Sequence, residues 1–337
     1  MIKTPLKTLP LALTLSALAS FAFADAVKVD SKIPEYKSVQ GVSGTIKSVG
    51  SDTMNNLMTL WSEGFKKMYP AVTTEIEGKG SATAPTALIA GTANFGPMSR
   101  SMKDKEIDEF EKQFGYKPTA VPTSIDMLAV FVHKDNPIQG LTLAQVDAVF
   151  SKTRKLGAEK DAVTWGDLGL TGEWSDKPIS LYGRNSASGT YGYFKEHAIG
   201  KGDFKDSVKE QPGSSSVVQS IASDKYAIGY SGIGYITADV RAVPLAKDAK
   251  SKLIEAVPEN AYSGQYPMAR FLYVYINMKP GTQLDPLRKE YLRYILSKQG
   301  QEDVVKDGYF PLTAKIVADS LKTIGVETAA IEAGAPR

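Results

Sequence analysis

The sequence predicts an α/β protein of two lobes with a cleft between them. Three observations carry this expectation. Short apolar segments alternate with amphipathic ones from Gly44 onward, which is the rhythm of strands packed against helices. The chain, at 337 residues, is longer than one hydrophobic core usually serves. A long apolar strand, Arg270–Asn277, returns late in the chain and needs cover on both faces, which a lobe begun before residue 125 could supply.

The elements follow in order. Thr45–Val49 reads as a strand, and a helix is expected from Thr53 to Met68, where Leu57, Leu60, Trp61, Gly64, Phe65 and Met68 recur at helical spacing. Val72–Glu77 is the next strand and Pro85–Ala90 the next helix, with the proline in its first turn. Asn94–Gly96 is a short extended piece before a charged helix, Lys103–Phe114. Met127–His133 has the composition of a buried strand and is ended by the turn Asp135-Asn136-Pro137. The second lobe is then assembled from a helix at Thr142–Phe150, a strand at Ile179–Gly183, a helix at Thr190–Ala198 and a strand at Ala227–Tyr230. The Lys-rich tract Ser151–Asp161 is expected to be a surface loop. After the strand Arg270–Asn277 comes a helix, Pro286–Ser297. The chain would thus cross between lobes twice, near Thr123–Asp126 and near Pro267–Arg270. Lobe I comprises residues 25–124 and 268–337, and lobe II residues 125–267. Two crossovers make a hinge.

The first residues have the character of an export signal. Lys3 and Lys7 precede an apolar run from Leu9 to Phe23, and Ala22-Phe23-Ala24 stands before Asp25. A membrane anchor is the competing reading, but the run falls short of the roughly 20 residues that span a bilayer. Cleavage after Ala24 leaves 313 of the 337 residues and, by removing Lys3 and Lys7, lowers the formal charge from +3 to +1. That balance provides no global field for nucleic acid or an anionic membrane, so recognition through charge must be local. The chain has no cysteine, which excludes disulfides and a lipid-modified cysteine. A soluble exported protein is expected. The remaining composition, 42% hydrophobic and 23% charged, is that of an ordinary globular protein.

Three small-residue turns stand where a strand hands over to a helix: Gly50-Ser51-Asp52-Thr53, Gly80-Ser81-Ala82-Thr83, and Arg184-Asn185-Ser186-Ala187-Ser188-Gly189-Thr190. Helix starts leave backbone N–H groups unpaired and attract anions. Plain capping is the better explanation of any one of these turns taken singly, because Ser, Thr and Asp are preferred there without a ligand. Three in one chain, with an arginine beside the third, fit a tetrahedral oxyanion, whose oxygens need filling from several directions. Arg184 would provide a planar fork and counter-charge; an interlobe salt bridge is its alternative role.

Enzymatic readings find little support in the same residues. Gly183 and Gly189 are one position too far apart for a phosphate-cradling P-loop, and the lysine before Thr190 is missing. Gly229-Tyr230-Ser231-Gly232 places its second glycine one position early for a nucleophile elbow and is better read as a strand end and turn. His133 and His197, the two histidines, lack neighbouring ligands at metal spacing. Neither a metal nor a cofactor is implied.

At these turns the sequence resembles the PstS-type phosphate-binding proteins of ABC phosphate transporters. The resemblance extends over essentially the whole mature chain. Its motifs are a Gly-x-x-x turn after the first strand, matched by Gly50–Thr53; a Gly-Ser turn after the second, matched by Gly80-Ser81; and Arg-x-x-x-Ser-Gly-Thr, matched by Arg184, Ser188, Gly189 and Thr190. Asn94-Phe95-Gly96-Pro97-Met98-Ser99-Arg100 is similar to the family's Asp-Phe-Gly-Ala-Ser-Asp stretch. The resemblance implies a type II-like periplasmic binding protein fold and a monomer in the periplasm that delivers inorganic phosphate to permease subunits of an ABC importer. It implies phosphate contacts from Asp52, Thr53, Ser81, Ser99, Arg184, Ser188, Gly189 and Thr190, to which we add Ser51 and Arg100 as expected contacts. One departure stands out, because Ser99 replaces the aspartate of better-known members and Arg100 follows it. A buried carboxylate accepts the proton that phosphate keeps and sulfate lacks, so we expect Asp52 to take that role and Arg100 to add a second positive charge. Asp52 as a simple N-cap is the alternative. Rivals for the whole reading are a receptor for sulfate or molybdate, a secreted phosphatase, and a surface or adhesion protein that keeps the fold.

Overall fold

A computed structural model describes residues 27–327; the expected leader and its cleavage point after Ala24 lie outside the described residues. In chain order the strands are β1 Gly44–Val49, β2 Val72–Glu77, β3 Gly96–Met98, β4 Thr119–His133, β5 Leu141–Thr142, β6 Ser180–Arg184, β7 Lys209–Gln211, β8 Ala227–Gly232, β9 Val240–Ala242, β10 Leu245–Ala246 and β11 Ala269–Ile276. The helices are α1 Asn55–Met68, α2 Thr83–Ile89, α3 Asp104–Phe114, α4 Leu143–Phe150, α5 Gly189–His197, α6 Ser214–Ser223, α7 Pro258–Tyr262, α8 Pro286–Ile295, α9 Lys298–Lys306 and α10 Ala314–Thr323. Among the described residues no helix is long and apolar enough to cross a membrane.

β1 and β2 form a parallel pair joined by α1. α1 buries Leu57, Met58, Trp61, Ser62 and Phe65 along one face, the 3.6-residue stripe that an amphipathic helix turns to the core. Trp61 donates its ring N–H to the Gly300 carbonyl at 2.8 Å, which ties this helix to the start of α9. The main sheet runs in the order β3-β11-β4-β8-β6-β7, with β9 also paired to β4.

β4 is the element that makes one molecule of two lobes. It pairs with β11 over residues 119–127 and with β8 over residues 128–132, so its partner changes between Met127 and Leu128. The strand is 15 residues long, twice the length expected from the apolar run alone, and it contains Pro122. A register shift accommodates the proline: Leu272 pairs with Ser124 and Tyr273 with Pro122, leaving Thr123 as the extra residue of a bulge. The Thr123 hydroxyl donates to the Leu272 carbonyl at 3.0 Å and so closes the gap in the ladder.

β11 departs from the expected cover on both faces. Arg270, Leu272 and Val274 are buried, but Phe271 and Tyr273 are only half-buried. This part of the sheet is shielded fully on one face. Helices α4 and α8 begin close to the predicted positions, because their caps are written in the sequence. Thr142 caps α4 by accepting from the Gln145 N–H at 3.1 Å, and Asp285 caps α8 by accepting from the Arg288 N–H at 3.0 Å.

Candidate functional site

The three predicted turns meet at one place. The backbone at Gly50–Ser51 is pinned between strands: the Gly50 N–H donates to Glu77 O at 3.0 Å and the Ser51 N–H to Pro97 O at 2.8 Å. From Gly80 the N–H donates to Gly50 O at 2.7 Å, which sets the second turn beside the first. Gly80 has φ +114° and a Cβ there would lie 2.5 Å from Ala187 O, so only glycine permits this approach to the third turn. The Ala82 N–H completes the link by donating to Ala187 O at 3.1 Å.

The side chains converge as well. The Ser81 hydroxyl accepts from the Ser99 N–H at 3.0 Å and lies 3.3 Å from the Ser99 hydroxyl. A Cβ on Gly189 would collide with Ser81 Oγ and lie 2.6 Å from Ser99 Oγ, so the start of α5 stands directly over this serine pair. Thr53 Oγ1 and Thr190 Oγ1 are hydrogen-bonded at 2.8 Å, although they are 137 residues apart in the chain. Ser51, Thr53, Ser81, Ser99, Arg184, Ser188 and Thr190 are all buried. Polar side chains are rarely buried in such numbers unless something binds their hydrogen-bonding groups.

Each turn uses its residues differently. Ser188 is an N-cap in the plain sense, accepting from the N–H groups of Thr190 and Tyr191 at 3.1 and 3.4 Å. Asp52 does not cap its own helix. Its Oδ1 accepts from the Ser214 N–H at 2.8 Å at the start of α6, and lies 3.1 Å from Arg184 Nη2. Gly213, just before α6, leaves room for this, since a Cβ there would sit 3.2 Å from Asp52 Oδ2. Arg184 also donates from Nη1 to the Ser214 hydroxyl at 2.6 Å and from Nη2 to Pro212 O at 3.2 Å. Its Nε–H, like the Ser51 hydroxyl, is buried without a partner. Burial pushes the Arg184 guanidinium below its ordinary pKa while Asp52 opposes the shift.

Arg100 is placed differently from the expectation. Its guanidinium makes two bonds to the Glu106 carboxylate, at 2.7 and 2.6 Å, and a third to Ser101 O at 2.9 Å. It borders a cavity of about 550 Å³ whose lining includes Tyr193, His197 and Lys201, and no hydrogen bond joins it to the serine pair. The reason is local: Glu106 stands in the first turn of α3 and holds the Arg100 guanidinium there. The second positive charge at the turns comes instead from Arg270, which donates from Nη2 to Thr190 Oγ1 at 3.0 Å and from Nη1 to Ser99 O at 2.7 Å. Arg270 is held by Asp126, whose Oδ2 accepts from Nε and Nη2 at 2.9 and 2.7 Å. Sequence reasoning had placed both residues at the two crossovers without giving them a role; a charged residue at the edge of a buried apolar strand was the available signal. Ser214 was missed with its helix. Tyr309 and Tyr235 were missed too; Tyr309 donates to Thr53 O at 2.8 Å and Tyr235 to Asp52 O at 3.1 Å.

The described residues contain no group of His, Cys, Asp and Glu that could hold a metal ion. His133 lies at the end of β4 and His197 at the end of α5, where its ring stacks on Tyr193 at 3.9 Å.

A two-lobed α/β protein with small-residue helix starts facing one another across the lobes belongs to a recognisable class, and the comparisons agree. A family model described as the PBP superfamily domain matches residues 37–299. The phosphate-binding protein PstS of Pseudomonas aeruginosa PAO1 is 56% identical over 321 residues, covering 95% of this chain and 99% of that protein. PstS of Staphylococcus haemolyticus is 29% identical over 84% of this chain and 86% of its own length. Among solved structures, a candidate phosphate ABC transporter substrate-binding protein with bound phosphate from Clostridium perfringens superposes with a TM-score of 0.67 at 26% identity, covering 80% of this chain and 100% of that one. An ABC-type phosphate transport receptor from Vibrio cholerae shares the fold, with a TM-score of 0.60 at 20% identity over 80% of this chain and 99% of its own. The chain belongs to the PstS family of the PBP superfamily.

Proposed function

We propose that the protein binds inorganic phosphate where the three turns meet and passes it to the permease of an ABC-type importer. One observation carries the reading: Arg184 is buried with its Nε–H unpaired, beside helix starts and buried hydroxyls. An unpaired buried donor costs about 1–3 kcal/mol, more when charged. A tetrahedral oxyanion bound there removes that cost through charge-assisted hydrogen bonds, which count for more away from water.

The proposed contacts are Ser51, Asp52, Thr53, Ser81, Ser99, Arg184, Ser188, Gly189 and Thr190. Lobe I at residues 25–124 and 268–337 and lobe II at 125–267 are supported by the change of β4 partner between Met127 and Leu128. Closure of the two on the ligand is the signal a permease would sense. Asp52 directs Oδ1 to Arg184 and Ser214, and we assign Oδ2 to accept the phosphate proton. The reading is of binding rather than catalysis, by a monomer acting in the periplasm after loss of its leader. Titration calorimetry of the mature protein with phosphate, sulfate and molybdate tests it. Tight binding of phosphate and weak binding of the other two is the expected result; preference for sulfate or molybdate would replace the ligand, and no binding of any would sink the reading.

A further inference from the structure

Arg270 and Asp126 face each other directly in the register of the two strands that join the lobes. The pair is sealed, with 2% and 0% of the two side chains exposed. Asp126 also accepts from the Ile233 N–H at 3.0 Å through Oδ1, and the Tyr193 ring lies 5.2 Å from the guanidinium centre. Buried ion pairs rarely add net stability, because the desolvation of both charges offsets their attraction. Stability therefore does not explain why these charges stand in the middle of an apolar strand pair.

What Arg270 does beyond its ion pair is fix the direction of a hydroxyl chain. A threonine hydroxyl has one hydrogen to donate and lone pairs to accept. Since Arg270 has no acceptor, Thr190 Oγ1 must accept in the 3.0 Å bond between them, and its own hydrogen is then turned away from the guanidinium. That hydrogen points to an oxyanion or to Thr53 Oγ1, 2.8 Å away. In the second case Thr53 accepts and must itself donate onward. Either way one O–H leaves the pair as a donor, and polarisation by the cation strengthens it. Through Nη1 the same side chain holds the Ser99 carbonyl at 2.7 Å, anchoring the segment that carries the Ser99 N–H and hydroxyl.

We propose that Arg270, clamped by Asp126, is a positioning residue for anion binding: it polarises the Thr190–Thr53 hydroxyl pair so that it donates outward, and it couples this polarity to the strands that join the lobes. The inference rests on the phosphate-binding reading and adds to it. It makes no distinction between phosphate and sulfate, because an outward donor serves both anions, whereas Asp52 separates them.

A double-mutant cycle with inorganic phosphate tests this in the full mature chain. Arg270→Met, Thr190→Val and the double variant are titrated by calorimetry, and thermal unfolding checks that each is folded. Arg270→Met is expected to weaken phosphate binding about 10- to 100-fold, a range typical of a lost charge-assisted contact. With Thr190→Val already present the same change should cost only a few-fold, since no hydroxyl remains to be turned. If Arg270→Met does not fold, Arg270→Lys replaces it in the cycle, keeping the charge opposite Asp126 while losing the fork that reaches both Thr190 and Ser99. Unchanged affinity in the folded Arg270 variant, or losses that simply add with those of Thr190→Val, would overturn the proposal. Failure of the wild-type protein to bind phosphate would count against the proposed function instead, so the two failures are distinguishable.

Discussion

Two arginine–aspartate pairs flank the meeting point of the turns, and they differ in how completely each is satisfied. Arg270 and Asp126 are both sealed, and every oxygen and nitrogen of the pair has a protein partner. Arg184 is equally buried, yet its partner Asp52 is 24% exposed and its Nε–H is unpaired. The first pair is a finished piece of structure on the strands that join the lobes. The second is chemically unfinished, with a buried donor on Arg184 that has no partner and a carboxylate on Asp52 that is partly open to solvent. On the proposed reading a ligand completes a set of groups that the fold leaves incomplete, which assigns affinity and discrimination to the open pair and the holding of geometry to the sealed one.

The comparison breaks most visibly at Arg184. Arg184→Ala removes the fork and leaves Asp52 with the Ser214 N–H alone; truncating one partner of a buried hydrogen-bonded charge pair typically costs about 2–5 kcal/mol. Phosphate affinity should fall about 100-fold or more, read by quenching or enhancement of native tryptophan fluorescence during titration. A loss no larger than that of Ser188→Ala would mean that Arg184 is only an interlobe strut. Asp52→Asn should act differently. The amide still accepts from Ser214, but it can no longer take a proton from phosphate without also presenting N–H donors. We expect phosphate to bind roughly tenfold more weakly and its advantage over sulfate to shrink, an effect worth about 1.4 kcal/mol. If calorimetry shows both anions unchanged, Asp52 is not the acceptor.

Gly189→Ala probes the contact between lobes rather than charge. Its Cβ would press on the Ser81 and Ser99 hydroxyls, a close approach that only glycine allows here. The lobes would have to separate slightly, so affinity should fall several-fold with little change in the ratio of phosphate to sulfate. Small-angle scattering should show a saturated variant more open than the saturated wild type. A variant as compact as the wild type and equally tight would show that the serine pair yields without cost.

Much of this arrangement was legible in the chain. Turn chemistry is local, so Gly50–Thr53, Gly80-Ser81 and Arg184–Thr190 could be placed at helix starts from their residues alone. What stayed hidden depends on distance or on weak local signals. The run Ser214-Ser215-Ser216-Val217-Val218-Gln219-Ser220 carries a weak helix signal because serine favours caps and turns, yet it forms α6 and supplies the N–H that Asp52 binds. Pro122 hid the first half of β4, since a proline argues against a strand until a bulge is known to absorb it. Arg270 and Asp126 are 144 residues apart, and no spacing rule pairs them. Arg100 was assigned by its neighbour Ser99, but the Glu106 carboxylate six positions on decided where its charge went.

Ser188→Ala gives the smallest expected effect and separates capping from binding. The hydroxyl accepts from two N–H groups at the start of α5, so its loss should lower stability by about 1 kcal/mol, measured by denaturant unfolding without ligand. Those two N–H groups would then be free at a helix start, where an anion can take them directly. Capping and binding therefore pull in opposite directions. Affinity should drop only a few-fold, and saturating phosphate should recover part of the lost stability. A drop comparable to that of Arg184→Ala would shift the anchoring role from the buried guanidinium to the cap, and the contrast between the open and the sealed pair would no longer describe the site.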